Sequence, residues 1–350
     1  MHRDTARVRA GEELDVAALA GFLRGKIEGV DRGLAVEQFP SGHSNLTYLL
    51  RVDSREYVLR RGPLGPVAPK AHDMAREFRV LQAVHRHFPE APDVLFLCED
   101  PAVLGAVFFV MERRRGLILR DEVPPRFRDL ANYPQMVSEA FIDCLVRLHA
   151  IDVANTGLIA LGKPEGFLER QVQGWVERWH RAKTEDAPQL ERVIGWLIDR
   201  RPVSPAPALV HNDYKLDNVM LAAESGDRVE AVLDWEMATV GDPLADLGLT
   251  LCYWAWADAS QLRSVAGPLT SQPRWYTRDQ FVNRYAAQTG RDLSGIRYYE
   301  VLGIFKLTVI LQQIYYRFER GQTQDLRFRD FDRRVRNLAE IATTMMEHAG

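Results

Sequence analysis

The sequence predicts an α+β protein in two lobes: a small N-terminal β-sheet lobe with one main helix, and a larger, mostly helical C-terminal lobe. Short strand patterns dominate residues 34–112, and helical patterns dominate the remainder. Residues 209–239 interrupt the helices with short strands around polar loops. The 350 residues are 46% hydrophobic, which is enough to bury a substantial core in one bilobal unit or two coupled domains. We therefore divide the chain into residues 1–112 and 113–350.

The N-terminal part contains five predicted strands and one predicted helix. Three strands have the sequences LAVEQFP, NLTYLLRV and EYVLRR within residues 34–61, and the turns GHSN and DSR separate them. A helix is predicted over about 70–87, because Met74, Phe78, Leu81 and Val84 recur at helical spacing. The strands VLFLCED and AVFFVMER follow, joined by a turn at residues 101–105. Together these elements predict a small sheet that carries one helix.

The C-terminal part is predicted to be helical except for one strand-rich segment. Helices are predicted over 134–151, 165–182 and 187–200, and the proline-rich sequence RPVSPAPA ends the last of these. The strand-rich segment contains LVHND, NVMLA and VEAVLDWE. Helices then resume over 243–257, 277–289, 296–319 and 328–348.

Composition excludes several classes of function. A net charge of −3 provides no electrostatic case for a nucleic-acid partner. The cysteines Cys98, Cys144 and Cys252 lie apart in apolar segments, as expected for buried thiols in a cytoplasmic protein. No signal peptide and no apolar run of about 20 residues is present, so we expect no membrane partner. The sequence does not determine the oligomeric state.

The polar loop of residues 211–218, HNDYKLDN, carries the strongest functional signal. Transfer of a phosphoryl group from ATP needs a carboxylate near the acceptor hydroxyl and oxygen ligands for Mg²⁺. Asp213 is the candidate base, and Lys215 is placed to stabilise the γ-phosphate. Asn218 and Asp234, which are sixteen residues apart, are candidate Mg²⁺ ligands. An Asx turn or a solvated strand end would explain any one acid here, but it does not explain the joint pattern.

These segments carry a family resemblance. HNDYKLDNVM and VLDWEMATVGDPLADLG resemble the catalytic segment of aminoglycoside phosphotransferases and of choline, homoserine and fructosamine kinases. They are most similar to the phosphotransferase subgroup found beside, or fused to, acyl-CoA dehydrogenases. The resemblance extends from about Phe39 to the C-terminal helices and implies a protein-kinase-like fold. It also implies a nucleotide-binding lobe (1–112), a catalytic and substrate-binding lobe (113–350), and ATP and Mg²⁺ as cofactors, without separating ATP from GTP.

The resemblance assigns further residues in the N-terminal lobe. Gly42, Ser44 and Asn45 match a loop that covers the nucleotide phosphates with backbone N–H groups. Arg60 stands where most relatives have a lysine that binds the α- and β-phosphates, and Glu77 is its expected partner. Because an arginine fork differs from an ammonium, this departure puts the usual ion pair in question. A solvated helix charge is the alternative for Glu77.

Three acidic residues have less direct implied roles. Glu112 belongs to the segment between the lobes, where the backbone of residues 110–113 is expected to contact adenine. Glu236 is either a second metal ligand or part of a salt bridge. Asp246 is expected to cap or brace the polar loop, and His149 is expected to be a packed or capping histidine.

The acceptor is predicted only as a class, a small molecule with a hydroxyl group. Residues 113–128 hold six arginines against two acids, which favours an anionic or neutral acceptor unless they form a solvated basic face. Trp175 and Trp179 share a helical face that either packs in the core or lines an acceptor cleft. The subgroup resemblance implies a hydroxyacyl-CoA or hydroxy acid. The alternatives are an aminoglycoside- or macrolide-type antibiotic phosphotransferase and, because of Arg60, a nucleotide-binding pseudokinase.

Overall fold

The computed structural model describes residues 4–40, 45–62, 73–254 and 269–349. Its chain forms two compact units. The first unit is Met1–Gly116 together with Glu230–Glu236, and the second is Leu117–Val229 together with Met237–Gly350. Strands concentrate in the first unit and helices in the second, so the α+β class predicted from the sequence is confirmed.

The first unit is built on a five-stranded antiparallel sheet of order β1-β2-β3-β5-β4. Its strands are β1 (Ala35–Gln38), β2 (Leu46–Val52), β3 (Arg55–Arg61), β4 (Val94–Cys98) and β5 (Phe108–Glu112). Its helices are α1 (Val16–Leu23), α2 (Met74–Val84) and α3 (Pro101–Leu104). The five predicted strands are all present. The predicted turn at 101–105 instead contains α3, whose N-cap Asp100 accepts the backbone N–H of Ala102.

The core of the first unit places two polar side chains inside. Leu19 and Leu23 of α1 pack in one core with Tyr48 of β2 and Phe108 of β5. On α2, Glu77 shares the buried face with apolar residues of the same helix. Arg60 on β3 is also buried, opposite Phe109 of β5. Burial of both charges is costly unless they are paired, which indicates a specific role for them.

The second unit has seven helices among its described residues. They are α4 (Tyr133–His149), α5 (Phe167–Ala182), α6 (Pro188–Asp199), α7 (Pro243–Tyr253), α8 (Arg278–Thr289), α9 (Ile296–Glu319) and α10 (Phe331–Glu347). Short strands β6 (Leu117–Ile118) and β8 (Val219–Leu221) pair with each other, as do β7 (Ala208–Val210) and β10 (Thr239–Gly241). The chain leaves this unit for the first along β9 (Val229–Val232). None of the helices in the described ranges is both long and apolar enough to cross a membrane.

Two glycines bring α7 and α9 into close contact. A Cβ atom at Gly248 would lie 2.5 Å from the carbonyl oxygen of Tyr299, and one at Gly303 would lie 2.6 Å from Sγ of Cys252. Real Cβ atoms do not approach so closely, so only glycine permits this helix separation. Polar residues on the inner face of α9 are therefore buried against α7. One of these is Lys306, one turn after Gly303.

Candidate active site

The 211–218 loop, between β7 and β8, brings three predicted residues together. Lys215 Nζ donates to both carboxylate oxygens of Asp213, at 3.0 and 2.8 Å. Asn218 Nδ2 lies 2.9 Å from Oδ2 of Asp213 and 2.9 Å from its carbonyl oxygen. Because both of these partners are acceptors, the amide must present its NH₂ group to them. Its oxygen is then the atom that could bind a cation.

Asp246 on α7 braces this loop, as predicted. Its Oδ2 accepts the backbone N–H of His211 at 2.6 Å, and its Oδ1 accepts that of Asn212 at 2.8 Å. His149 Nε2 lies 3.3 Å from the same carboxylate, and His149 Nδ1 lies 2.8 Å from the hydroxyl of Tyr285. Burial alone would raise the pKa of Asp246, but His149 and the backbone N–H groups lower it below its ordinary value. The carboxylate therefore stays ionised inside the protein.

Asp246 also stabilises an unfavourable backbone conformation at the residue before Asp213. Asn212 has a φ of 63°, in the left-handed region that asparagine tolerates better than most residues. Its N–H donates to Asp246, so a tertiary contact maintains this conformation. The direction of the Asp213 side chain is thus set by Asp246 as well as by the loop itself.

Tyr253 is a site residue that the sequence reasoning missed. Its ring lies beside the loop, with Nζ of Lys215 5.1 Å from the ring centroid. Burial and the charge of Asp213 raise the pKa of Tyr253 well above its ordinary value, so it remains a protonated donor. Asp246, Thr250 and Tyr253 follow one another at helical spacings of four and three, and Thr250 donates to the carbonyl of Tyr214. This shared face of α7 is the signal that would have identified Tyr253.

A small cavity adjoins the loop. It has a volume of about 60 Å³ and is lined by Lys215 and Tyr253 together with Arg120 and Thr270. The lining also includes Asp217 and the apolar side chains of Phe141, Leu216, Trp254 and Leu269. Two cations therefore stand against one acid in a mixed polar and apolar cavity, which is suited to a small molecule with polar groups.

The first unit contains a second group of predicted site residues. Arg60 Nη1 lies 3.1 Å from Oε1 of Glu77, and Arg60 Nη2 donates to Oδ1 of Asp234 at 2.8 Å. Asn45 Nδ2 donates to Oε2 of Glu236 at 3.0 Å. The ion pair that the arginine put in question is therefore present. The guanidinium fork reaches two carboxylates at once, a geometry that a single ammonium does not supply.

Burial and charge oppose each other in this group. Burial would lower the pKa of Arg60, but the carboxylates of Glu77 and Asp234 raise it above its ordinary value. Burial raises the pKa of Glu77, and Arg60 acts against that shift. Asp234 itself has a φ of 68°, so its backbone is in the left-handed region. The acids thus keep Arg60 charged, while burial leaves the pKa of Glu77 raised, to about 7.

The remaining predicted nucleotide-binding residues are placed differently. Oε1 of Glu112 accepts the backbone N–H of Asp93 at 2.7 Å and Nε of Arg114 at 2.7 Å. The Glu112 side chain thus ties β5 to the start of β4, while the adenine contact of residues 110–113 stays a prediction. Gly42 and Ser44 lie outside the described residues.

The basic stretch at residues 113–128 is largely neutralised. Four of its six arginines form salt bridges, namely Arg113 with Asp4 and Glu56, Arg114 with Glu112, Arg115 with Glu56, and Arg128 with Glu122. Asp4 and Glu56 are distant in sequence, so counting charges within the stretch overestimated its positive potential. This stretch does not support an anionic acceptor by itself.

The two tryptophans of α5 differ in surroundings. Trp179 is buried, and its indole N–H lies 3.3 Å from Oε1 of Glu191, in agreement with a core role. Trp175 is also buried but carries two cations, because the guanidinium of Arg178 and the ammonium of Lys306 lie 4.7 and 5.6 Å from its ring centroid. Only Trp175 therefore has the surroundings of a ligand contact.

Comparison with known proteins identifies the family. The model of the phosphotransferase enzyme family matches residues 35–299, a range that includes both groups of polar residues described above. The chain belongs to this family. As a member, it is a small-molecule phosphotransferase.

Relatives and solved structures agree with this assignment. The phosphotransferase is 32% identical to acyl-CoA dehydrogenase family member 10 of Mus musculus over 97% of its own length, but it spans only 32% of that protein. A solved structure from Ralstonia eutropha JMP134, classed with the aminoglycoside phosphotransferases, is 29% identical. The alignment covers 96% of this chain and 99% of that one, with a TM-score of 0.80.

A more distant structure shows the same fold. It is a thermostable mutant of aminoglycoside phosphotransferase APH(4)-Ia in complex with AMP-PNP and hygromycin B. It is 17% identical over 94% of this phosphotransferase and 98% of that chain, with a TM-score of 0.60.

Proposed function

We propose that this phosphotransferase transfers the γ-phosphate of ATP, with Mg²⁺, to a hydroxyl group of a small molecule, and that Asp213 is the general base. The observation that carries the proposal is the Asp213 carboxylate, oriented by Lys215 and Asn218 in a loop that Asp246 braces. The acceptor oxygen bonds to the γ-phosphorus, the bond from that phosphorus to ADP breaks, and the hydroxyl proton passes to Asp213.

The neighbours of Asp213 have complementary proposed roles. Lys215 holds the carboxylate in the free protein and stabilises negative charge on the γ-phosphate during transfer. Tyr253 lies beside Lys215 and keeps its hydroxyl proton, so it is proposed as a hydrogen-bond donor to the site. These contacts position a base before the acceptor arrives, which lowers the entropic cost of the reaction.

The side chains predicted as metal ligands carry the kind of oxygen atoms that Mg²⁺ prefers. We propose the amide oxygen of Asn218 and the carboxylates of Asp234 and Glu236 as its ligands. All three are hard oxygen donors, and Mg²⁺ on a nucleotide needs only one or two protein ligands because phosphate and water supply the rest. When bound, the ion would neutralise charge on the phosphate oxygens. Asn45, Arg60 and Glu77 are proposed on the nucleotide side, with Gly42, Ser44 and the backbone near Glu112.

The proposed acceptor is a hydroxyacyl-CoA or a hydroxy acid. Similarity to acyl-CoA dehydrogenase family members supports an acyl-type acceptor, and the excess of two cations over one acid in the cavity lining supports an anionic one. An aminoglycoside is polycationic, so Arg120 and Lys215 in the cavity lining would repel it. Fold similarity to the hygromycin B complex does not outweigh this repulsion.

The proposal is tested by incubating the protein with radiolabelled ATP, Mg²⁺ and a panel of acceptors. The panel contains short hydroxy acids, hydroxyacyl-CoA thioesters, choline and hygromycin B. We expect label transfer to the acidic and thioester members, none to hygromycin B, and complete loss of transfer when EDTA removes Mg²⁺. Preferential phosphorylation of hygromycin B would establish the antibiotic alternative instead, and transfer undiminished by EDTA would exclude the metal.

One observation favours a pseudokinase as the second candidate. Arg60 donates to Oδ1 of Asp234, so a protein cation already occupies part of a proposed metal ligand.

In an active kinase we expect Arg60→Lys to keep kcat within about threefold and to raise the KM for ATP by roughly tenfold or less, because the charge remains but one hydrogen bond is lost. Steady-state kinetics at varied ATP measures both constants. Tight ATP binding without transfer to any acceptor, by wild type and Arg60→Lys alike, would favour the pseudokinase.

A further inference from the structure

Lys306 is a buried cation on α9. It is 5% exposed, and within residues 4–40, 45–62, 73–254 and 269–349 its ammonium forms no hydrogen bond or ion pair. Lys306 lies one turn after Gly303, where α9 is in close contact with α7 inside the second unit. Burial lowers the pKa of Lys306. An ammonium left in this way is costly, so its retention calls for a compensating function.

Arg178 adds a second cation beside it. The guanidinium of Arg178 and the ammonium of Lys306 both lie over the ring system of Trp175. Arg178 Nη1 donates to the carbonyl of Gly174 at 2.9 Å, and no carboxylate of the described chain pairs with it. The positive charge of Arg178 also acts unfavourably on Lys306. Two cations therefore lie over one aromatic ring, and neither forms an ion pair with an acid in the described part of the chain.

The pair lies near the proposed base. The carboxylates of Asp213 and Asp246 act favourably on the charge of Lys306, which places the ammonium within electrostatic reach of both. Neither acid serves as its partner, since Asp213 bonds Lys215 and Asn218 while Asp246 bonds the loop backbone. An anion bound beside Lys306 would therefore lie within electrostatic reach of the proposed base.

We propose that Lys306, Arg178 and Trp175 form a subsite for an anionic group of the acceptor, a carboxylate or a phosphate. The subsite rests on the proposed function and deepens it by naming the acceptor's charge. The anion neutralises both cations, while the ring of Trp175 provides an apolar wall for the rest of the molecule. The acceptor is thereby held with its hydroxyl directed toward Asp213.

The test compares matched charged and neutral probes by isothermal titration calorimetry on the whole protein, without ATP. The first pair is 3-hydroxybutyrate and 1,3-butanediol, which differ in the carboxylate. The second pair is the 3-hydroxybutyryl thioesters of 4′-phosphopantetheine and pantetheine, which differ in the single phosphate. We expect wild type to bind the charged member of at least one pair about tenfold or more tightly than its neutral partner. The pair that shows the preference identifies carboxylate or phosphate as the anion.

Variants separate the subsite from general effects of charge and folding. Methionine has about the length of the lysine side chain and its apolar stem, but no charge. We therefore expect Lys306→Met to abolish the charge preference without lowering the melting temperature. Lys163→Met removes the same charge from an exposed position and should leave the preference unchanged. If Lys306 were only structural, its replacement would lower the melting temperature and weaken charged and neutral probes equally, which would overturn the subsite.

The result is independent of catalysis. Because binding is measured without ATP, a failed kinase assignment would leave the charge preference intact. Equal binding of charged and neutral probes by wild type, no binding of any probe, or a preference that survives in Lys306→Met would each overturn the proposal.

Discussion

Replacing Asp213 by asparagine is expected to lower kcat by roughly a hundredfold to ten-thousandfold, the usual contribution of a general base. The variant keeps the shape of the side chain but can no longer take the hydroxyl proton. ATP affinity is expected to stay within about twofold, because Asp213 is assigned to the acceptor rather than to the nucleotide. Single-turnover phosphate transfer to the best acceptor of the panel measures the first effect, and ATP titration of the free protein measures the second.

The matched control for this variant is Asp186→Asn. Asp186 is exposed, so the same chemical change there should leave kcat unaltered. A variant at Asp213 that retains more than about a tenth of wild-type kcat would remove this residue from the role of base. Loss of ATP binding together with activity would instead show that Asp213 contributes to the nucleotide site.

Replacing Asp246 by asparagine is expected to destabilise the protein by about 3 kcal/mol or more, since it breaks a buried ionic network. Both carboxylate oxygens accept backbone N–H groups, those of His211 and Asn212. An amide has one oxygen only, so its NH₂ group would face a donor. We expect kcat to fall as well, because the loop that carries Asp213 loses its brace. Thermal unfolding measures the first effect, with Asp186→Asn again as control.

The destabilisation by Asp246→Asn should depend on pH in a defined direction. The folded state lowers the pKa of Asp246 below the ordinary aspartate value of 3.8. The carboxylate therefore contributes stability above about that pH, and the contribution is lost as the pH falls through the lower folded value. The difference in melting temperature between wild type and variant should be full at neutral pH and should shrink only when the pH falls below about 3.8. A difference that grows on acidification would contradict an ionised Asp246.

Most of the secondary structure followed from local patterns. The predicted strand EYVLRR corresponds to β3 (Arg55–Arg61), and the helix predicted over 296–319 is α9 (Ile296–Glu319). Reasoning from the sequence missed α1, although Asp15 is an N-cap signal before its apolar run. It also missed β6 and β10, which are two and three residues long. Strands of that length carry no periodic signal, because pairing with a distant partner creates them.

The sequence alone was sufficient to predict that the polar side chains of the 211–218 loop lie together. Asp213, Lys215 and Asn218 lie within six residues, so the local path of the chain brings their side chains together. The tertiary structure alone decided which charges are satisfied. Asp4 and Glu56 neutralise arginines far along the chain, and Asp246 meets His149 from 97 residues away. Lys306 lies over the ring of Trp175, and within the described ranges it forms no ion pair with an acid. Local periodicity shows which face of a helix is buried, whereas the partner of a buried charge depends on which helices pack together.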